Sequence, residues 1–260
     1  MKVINDLVNY SGMLIVQNPD WFMFSLDSVL LPNFVTINKN TKKILELGTG
    51  NCPIPLILST RTNELINSIE IQKDLYELAR ESVSINHLED RINLINDDMK
   101  NLANYFKLAS FDLIITNPPY FELEEKSKLN DNEHKTIARH ELKITLEEIL
   151  ELAGKFLNNK GIFAMVYRTN RLIEVIEQMR KNKIEPKRLR LIYPSTDSES
   201  NMFLIEGVKN ANKGLKILSP LYAHNKDGSY TEEVMQYFTN ESRWYHETHN
   251  RTRKSRQRIQ

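Results

Sequence analysis

Cysteine is almost missing: Cys52 is the only one among 260 residues. An internal disulfide is therefore impossible, and so is a metal cluster built on several thiolates. The six histidines show no ligand spacing beside acids, so no metal is expected. No apolar run approaches the roughly 20 residues that cross a bilayer, so no membrane association is expected. The opening residues, MKVINDLVNYSG, lack the charged-then-apolar layout of a secretory leader. Glycine and proline number only 8 and 9, and no internal repeat or low-complexity segment is present. With 40% hydrophobic and 27% charged residues, the composition is that of a soluble globular chain. These absences point to a reducing, cytoplasmic setting, one main domain and a monomer.

An excess of either charge is also lacking, since the net charge is +1. The distribution is uneven. Residues 242–260 hold six of the 35 basic residues and one of the 34 acids, so that segment is +5 and the rest is −4. Arg180, Lys181, Lys183, Lys187, Arg188 and Arg190 form a second basic cluster. Each run suits phosphate contact, and each equally suits a solvated surface.

Strand and helix patterns alternate from residue 43. Short apolar runs at 43–47, 66–71, 91–95, 111–116, 161–167, 187–193 and 201–207 predict strands. A proline-initiated helix is expected at 53–60. Leu75, Leu78, Ala79 and Val83 mark the buried face of the next helix. Thr145 and Glu148 form a capping box ahead of Leu146, Ile149, Leu150, Ala153 and Leu157. Leu172, Val175, Ile176 and Met179 mark one more helix. Such alternation predicts a mostly parallel sheet covered on both faces. The connection at 194–200 is too short for a crossover helix, so the final strand should be reversed. A seven-stranded, mostly parallel α/β sheet with its last strand reversed resembles the Rossmann-like layout of class I methyltransferases. Residues 1–40 are expected to cover the cofactor and target pocket, 41–240 to form the methyltransferase domain, and 241–260 to be a basic tail. Residues 122–141 form a polar loop longer than a compact domain normally carries without a task.

Ligands of such sheets bind at the carboxyl ends of the strands. The first of these strands ends in Glu46-Leu47-Gly48-Thr49-Gly50-Asn51, where glycines let backbone approach a ligand. Glu70 lies 22 residues beyond Gly48, an offset that suits a ribose diol; the same acid also suits a helix N-terminus. Asp98 is placed to accept from an adenine amino group, although it also suits an N-cap, and Asp97 competes for the same role. Ile71 and Met99 are expected alongside. A dinucleotide site would want a third glycine where Pro53 stands and gives Asn117 no task. S-adenosylmethionine is therefore favoured over NAD.

The strand at 111–116 delivers Asn117-Pro118-Pro119-Tyr120-Phe121 beside that turn. Prolines fix φ and remove backbone donors, leaving a rigid rim of acceptors. The Asn117 amide oxygen and the Pro118 carbonyl can accept from an exocyclic NH2, while Asn117 also borders the cofactor. Tyr120 offers a face on which a base stacks. Asn117, Pro118 and Tyr120 are thus the candidate catalytic residues.

Residues 43–121 resemble the class I amino-methyltransferases, whose motif is Asp/Asn/Ser-Pro-Pro-aromatic. The flanks resemble a narrower family, the bacterial enzymes that methylate adenine 37, beside the anticodon of valine tRNA. The resemblance rests on residues 22–31 (FMFSLDSVLL), 69–72 (IEIQ), 137–141 (IARHE), 214–221 (GLKILSPL) and 227–234 (DGSYTEEV). Asp97 stands where that family more usually has glycine. The resemblance implies a tRNA adenine-N6 methyltransferase using S-adenosylmethionine, with tRNA as partner. It implies Phe24 and Asp27 in the target pocket, Pro119 and Phe121 on its rim, and Arg139 and His140 against RNA. Without it, Phe24 reads as core and Arg139 and His140 as a solvated loop. Protein glutamine and rRNA amino-methyltransferases share the central motif. The former is disfavoured because 40 residues are too few for its usual N-terminal helical domain.

Overall fold

Apolar residues on every position of a strand require cover on both faces, and the sheet supplies it. The computed structural model describes residues 1–7, 12–21, 23–119 and 144–238. Strands β1 (Val3–Asp6) and β2 (Leu14–Gln17) form an antiparallel hairpin, followed by helix α1 (Leu26–Phe34). Then come β3 (Lys43–Leu47), α2 (Pro53–Ser59), β4 (Leu65–Glu70), α3 (Lys73–Ile85), β5 (Ile92–Asn96) and β6 (Phe111–Thr116). The second half holds α4 (Leu146–Phe156), β7 (Leu157–Arg168), α5 (Leu172–Lys181), β8 (Ile184–Tyr193) and β9 (Met202–Lys209). Two-residue strands β10 (Lys216–Ile217) and β11 (Leu221–Tyr222) precede α6 (Glu232–Phe238).

The main sheet runs β10-β8-β9-β7-β6-β3-β4-β5, with β11 also beside β8. β9 lies antiparallel to both β7 and β8; every other pair in this sheet is parallel. The seven expected strands and the reversed last one are therefore present, with β10 and β11 added at the edge. Two residues carry no periodicity, which is why those strands escape a sequence reading.

Two boundaries differ instructively. β7 starts four residues before the expected 161 because Leu157 already pairs with Phe111; a register shift before the Leu113–Ile162 pair absorbs the polar Asn158–Lys160 stretch. β8 starts at Ile184, before Pro186, because a register shift between Pro186 and Arg188 accommodates the residue that cannot donate.

Alternation on β6 explains its unbroken apolar run. Leu113 and Ile115 join the layer containing Val29, Leu30, Leu31 and the α2 residues Ile54, Leu56 and Ile57. Ile114 joins the opposite layer, with Leu146, Ile149 and Leu150 of α4 and Val175 and Met179 of α5. The N-terminal hairpin docks beside the sheet, on α3: Val16 donates its amide to Ser82 Oγ at 2.9 Å, and Leu14 donates to Asn86 Oδ1 at 2.9 Å. Farther along the same segment, buried Glu206 of β9 accepts from the Thr36 amide at 2.7 Å and the Thr36 hydroxyl at 3.0 Å.

Candidate active site

β3 ends in a turn that only a special backbone allows. Gly48, Gly50 and Cys52 have φ of 75°, 57° and 77°, in the left-handed region. The Gly48 and Thr49 amides both donate to the Ile69 carbonyl, at 3.0 and 3.1 Å, tying the turn to β4. The Gly50 amide donates to Glu70 Oε2 at 2.8 Å, and the Gln72 amide donates to Oε1 at 2.9 Å. Burial raises the Glu70 carboxyl above its usual range, and these backbone donors pull it partly back.

Glu46 is only 1% exposed, and neither of its carboxylate oxygens has a hydrogen-bond partner. Burial lifts its pKa from 4.5 to about 8. Nearby Thr49 and Ser68 hydroxyls moderate the rise without reaching hydrogen-bond geometry, and Glu70 adds repulsion.

Asp97 and Asp98 divide two tasks. Asp97 accepts from the Asp98 amide at 2.7 Å, Asn101 Nδ2 at 2.8 Å and the Tyr105 hydroxyl at 2.8 Å. Those bonds, Asn101 foremost, hold its carboxyl below the usual range. Asp98 caps the following 3-10 turn, accepting at Oδ1 from the Lys100 amide at 2.9 Å.

β6 lies beside β3, and Thr116 pairs with Leu47 at their carboxyl ends. The buried Thr116 hydroxyl donates to the Leu47 carbonyl at 2.8 Å, which fixes the start of Asn117-Pro118-Pro119 against the glycine turn. Asn117 Nδ2 donates to Ser28 Oγ at 3.3 Å. Asp27, 5% exposed, accepts from the Ser25 hydroxyl and from the Ser28 amide. The Phe24 amide donates to Gln17 Oε1 at 3.1 Å.

One cleft is lined by Phe24, Asp27, Glu46, Gly48, Gly50, Asn51, Glu70, Ile71, Asp98, Met99, Asn117, Pro118 and Pro119. Within it Asn51 faces the wall, donating Nδ2 to the Val16 carbonyl at 3.2 Å. Tyr120, Phe121, Arg139 and His140 lie outside the described residues. The sequence reading missed Ser28, Thr116, Lys100, Ile144 and Ile149, which share the lining. Ile149 was readable only as core, and nothing local marks Ser28 or Ile144.

An S-adenosylmethionine molecule presents an ammonium, a ribose diol and an adenine amine. The residues fit each. Glu46 is a buried carboxylate without a donor, Glu70 keeps lone pairs beyond its two amide bonds, and Asp98 has a second oxygen. Open space lies where a Cβ of Gly50 would project.

The basic cluster at 180–190 is not a phosphate grip beside this cleft. β8 runs in the direction of β6, so its start, with Lys183 and Lys187, lies at the end of the sheet opposite the cleft. Arg188 donates to the Phe34 carbonyl, Thr36 and Glu206, and Arg190 donates to Ser219, Tyr237 and Glu233. Arg180 pairs with Glu185 and Lys181 with Glu147. Among the described residues no acid–His–Cys group could hold a metal, and no helix is long and apolar enough to cross a membrane.

Residues 26–183 match the family model described as the methyltransferase small domain. A tRNA1(Val) (adenine(37)-N6)-methyltransferase of Shewanella woodyi is 25% identical over 222 residues, covering 83% of this chain and 90% of that protein. One from Flavobacterium johnsoniae is 33% identical over 141 residues, covering 54% of this chain and 58% of that protein. Among solved structures, a predicted O-methyltransferase, protein Atu636 from Agrobacterium tumefaciens, superposes with a TM-score of 0.66 at 18% identity, over 82% of this chain and 95% of that one. Pyrococcus horikoshii TYW2, solved with MeSAdo, superposes with a TM-score of 0.54 at 14% identity, over 77% of this chain and 70% of that one. Both share the fold.

Proposed function

The chain belongs to the methyltransferase small domain family, and on that premise we propose that it methylates the exocyclic N6 of adenine 37 in tRNA1(Val). It is an S-adenosylmethionine-dependent enzyme. The observation that carries the reading is the junction of β3 and β6. Thr116 locks Asn117 and Pro118 beside the Gly48 turn and the partnerless Glu46. The names of the similar proteins supply the substrate.

When bound, S-adenosylmethionine supplies a methyl group on a positively charged sulfur, already activated for displacement. Glu46 accepts from its ammonium, Glu70 from its ribose hydroxyls and Asp98 from its adenine amine. Asn117 Oδ1 and the Pro118 carbonyl accept from the N6 amine of the target base. Those two bonds hold the nitrogen and draw its lone pair out of conjugation with the ring. The proline pair keeps the rim rigid, and Tyr120 provides the stacking face. No strong base is required, because the amine becomes acidic only as its bond to carbon forms.

The test is incubation of the full chain with methyl-labelled S-adenosylmethionine and separate pools of tRNA, rRNA, DNA and protein. Label is expected in tRNA as N6-methyladenosine, and a tRNA1(Val) with guanine at 37 should take none. Label in protein glutamine or rRNA instead would replace this reading. Asn117→Ala should bind S-adenosylmethionine normally and turn over at least about 100-fold more slowly.

A further inference from the structure

Among the described residues, four buried polar atoms without a hydrogen-bond partner gather in one place: both Glu46 carboxyl oxygens, Thr49 Oγ1 and Ser68 Oγ. Buried polar atoms are normally paired, so a group of four asks for a cause. The sheet brings them together. Glu46 and Ser68 stand opposite each other on β3 and β4, and their side chains leave the same face. Ile44 and Ile66, two residues earlier on each strand, point into the layer that contains α2. Thr49 lies in the turn that follows β3. Glu46 and Thr49 line the cleft, whereas Ser68 is 0% exposed and does not. A ligand therefore meets the Glu46 carboxyl from the cleft, and Ser68 meets it from inside the protein.

The ionisable groups around this cluster offer Glu46 little help. β4 brings Glu70, which repels it. The turn brings Cys52, whose thiol burial and Glu46 push well above its usual range, so it stays neutral. β6 sets Ile115 beside Glu46, and α2 has no ionisable residue. Asp27 of α1 shares the cleft lining, as do Asp97, Asp98 and Lys100, and Lys100 is already paired with Glu148 at 2.9 Å. The Thr49 and Ser68 hydroxyls are what remains to steady a negative charge, and both act against the upward push of burial. Two hydroxyls also match two carboxylate oxygens, one donor for each.

We propose that Thr49 and Ser68 are positioning residues for the cofactor's ammonium: their hydroxyls turn to donate to Glu46 when it ionises, and so hold the carboxylate charged and aimed into the cleft. The Glu46 proton leaves to solvent as the ammonium arrives. The assignment rests on Glu46 being the ammonium acceptor proposed above. A hydroxyl donating to a buried carboxylate corresponds to about a tenfold effect on affinity. Without the hydroxyls the carboxyl keeps its proton to higher pH, so the loss is greatest on the acid side.

The test uses the full chain and two probes. S-adenosylhomocysteine carries the ammonium, and methylthioadenosine keeps the nucleoside but lacks it. Affinities at about pH 6.5 and 9, and the melting temperature of the ligand-free protein against pH, are measured for Ser68→Ala, Thr49→Val, Thr49→Ser, Glu46→Gln and Ser68→Ala/Glu46→Gln. Ser68→Ala and Thr49→Val should each bind S-adenosylhomocysteine about tenfold more weakly at the lower pH, with a smaller loss at the higher one. Methylthioadenosine should bind both within about twofold of the parent, and Thr49→Ser should keep most of the parent affinity. In the ligand-free protein, the fall in melting temperature that the parent shows through about pH 8 should move to higher pH in both. With Glu46→Gln in place, Ser68→Ala should add no more than about a twofold loss. An equal loss for the two probes, or an unmoved melting profile, would overturn the assignment while leaving the function intact. Parent-like affinity of Glu46→Gln for S-adenosylhomocysteine would remove Glu46 as the ammonium acceptor as well.

Discussion

Glu46 shows how a single carboxyl can be arranged for a ligand at a cost to the ligand-free fold. Its oxygens have no donor, and burial lifts its pKa to about 8, so near neutral pH the side chain is mostly protonated. An arriving ammonium makes the ionised form the favoured one, so cofactor binding should release a proton near pH 7. The folded chain keeps this proton between 4.5 and about 8, while the unfolded chain has already lost it. Stability associated with Glu46 is therefore complete below 4.5 and is lost as pH rises through about 8. Glu46→Gln should flatten the pH dependence of the melting temperature, with its largest gain over the parent near pH 8.5. It should also weaken S-adenosylmethionine binding roughly 10- to 100-fold, the loss of a charged hydrogen bond. Equal melting-temperature differences at pH 5.5 and 8.5 would show that Glu46 is ionised in the free protein.

Among the elements, β9 carries a tight constraint outside the site. Among the described strands of the main sheet it alone is antiparallel to both neighbours, wedged between β7 and β8 with Met179 of α5 packed over Gly207. A Cβ at Gly207 would collide with Met179 Cε and come within 2.9 Å of Ile184 Cγ2 and 3.0 Å of the Glu185 carbonyl. The methionine can move, but the carbonyl belongs to a paired strand and cannot. Gly207→Ala should lower stability by about 1–3 kcal/mol through overpacking. Denaturant midpoints should show the loss, while activity per folded molecule stays at the parent value. A midpoint equal to the parent's would mean that α5 shifts freely over the sheet.

For the molecule as a whole, charge and topology part company. The lysines at the start of β8 lie at the end of the sheet away from the cleft, and Arg188 and Arg190 point into the protein, binding residues 34–36 and α6 to the sheet. That leaves residues 242–260, at +5 and outside the described residues, as the basic segment to test for phosphate contact. Affinity for tRNA should fall steeply with salt in the full chain, and truncation after residue 241 should make the slope shallower by up to about five. Lys183→Ala should leave the slope as it is. A truncated chain with the parent slope would remove the tail from RNA contact.

What the amino-acid sequence determined by itself is whatever local physics writes within a few residues. The capping box of Thr145 and Glu148 formed as its spacing required, because both partners sit in one helical turn. The apolar runs became strands, and the glycines after Leu47 took up left-handed backbone. The Asn117-Pro118-Pro119 run and the acids at 46, 70 and 98 were legible as a chemical pattern that one cleft collects. Tertiary structure decided the rest. Strand order set which end of the molecule each basic residue occupies. Folding also brought the first turn of α1 against the end of β6 and left Glu46 without a donor. Periodicity reports which face of an element is buried, whereas partners far apart in the chain meet only when the sheet has ordered its strands.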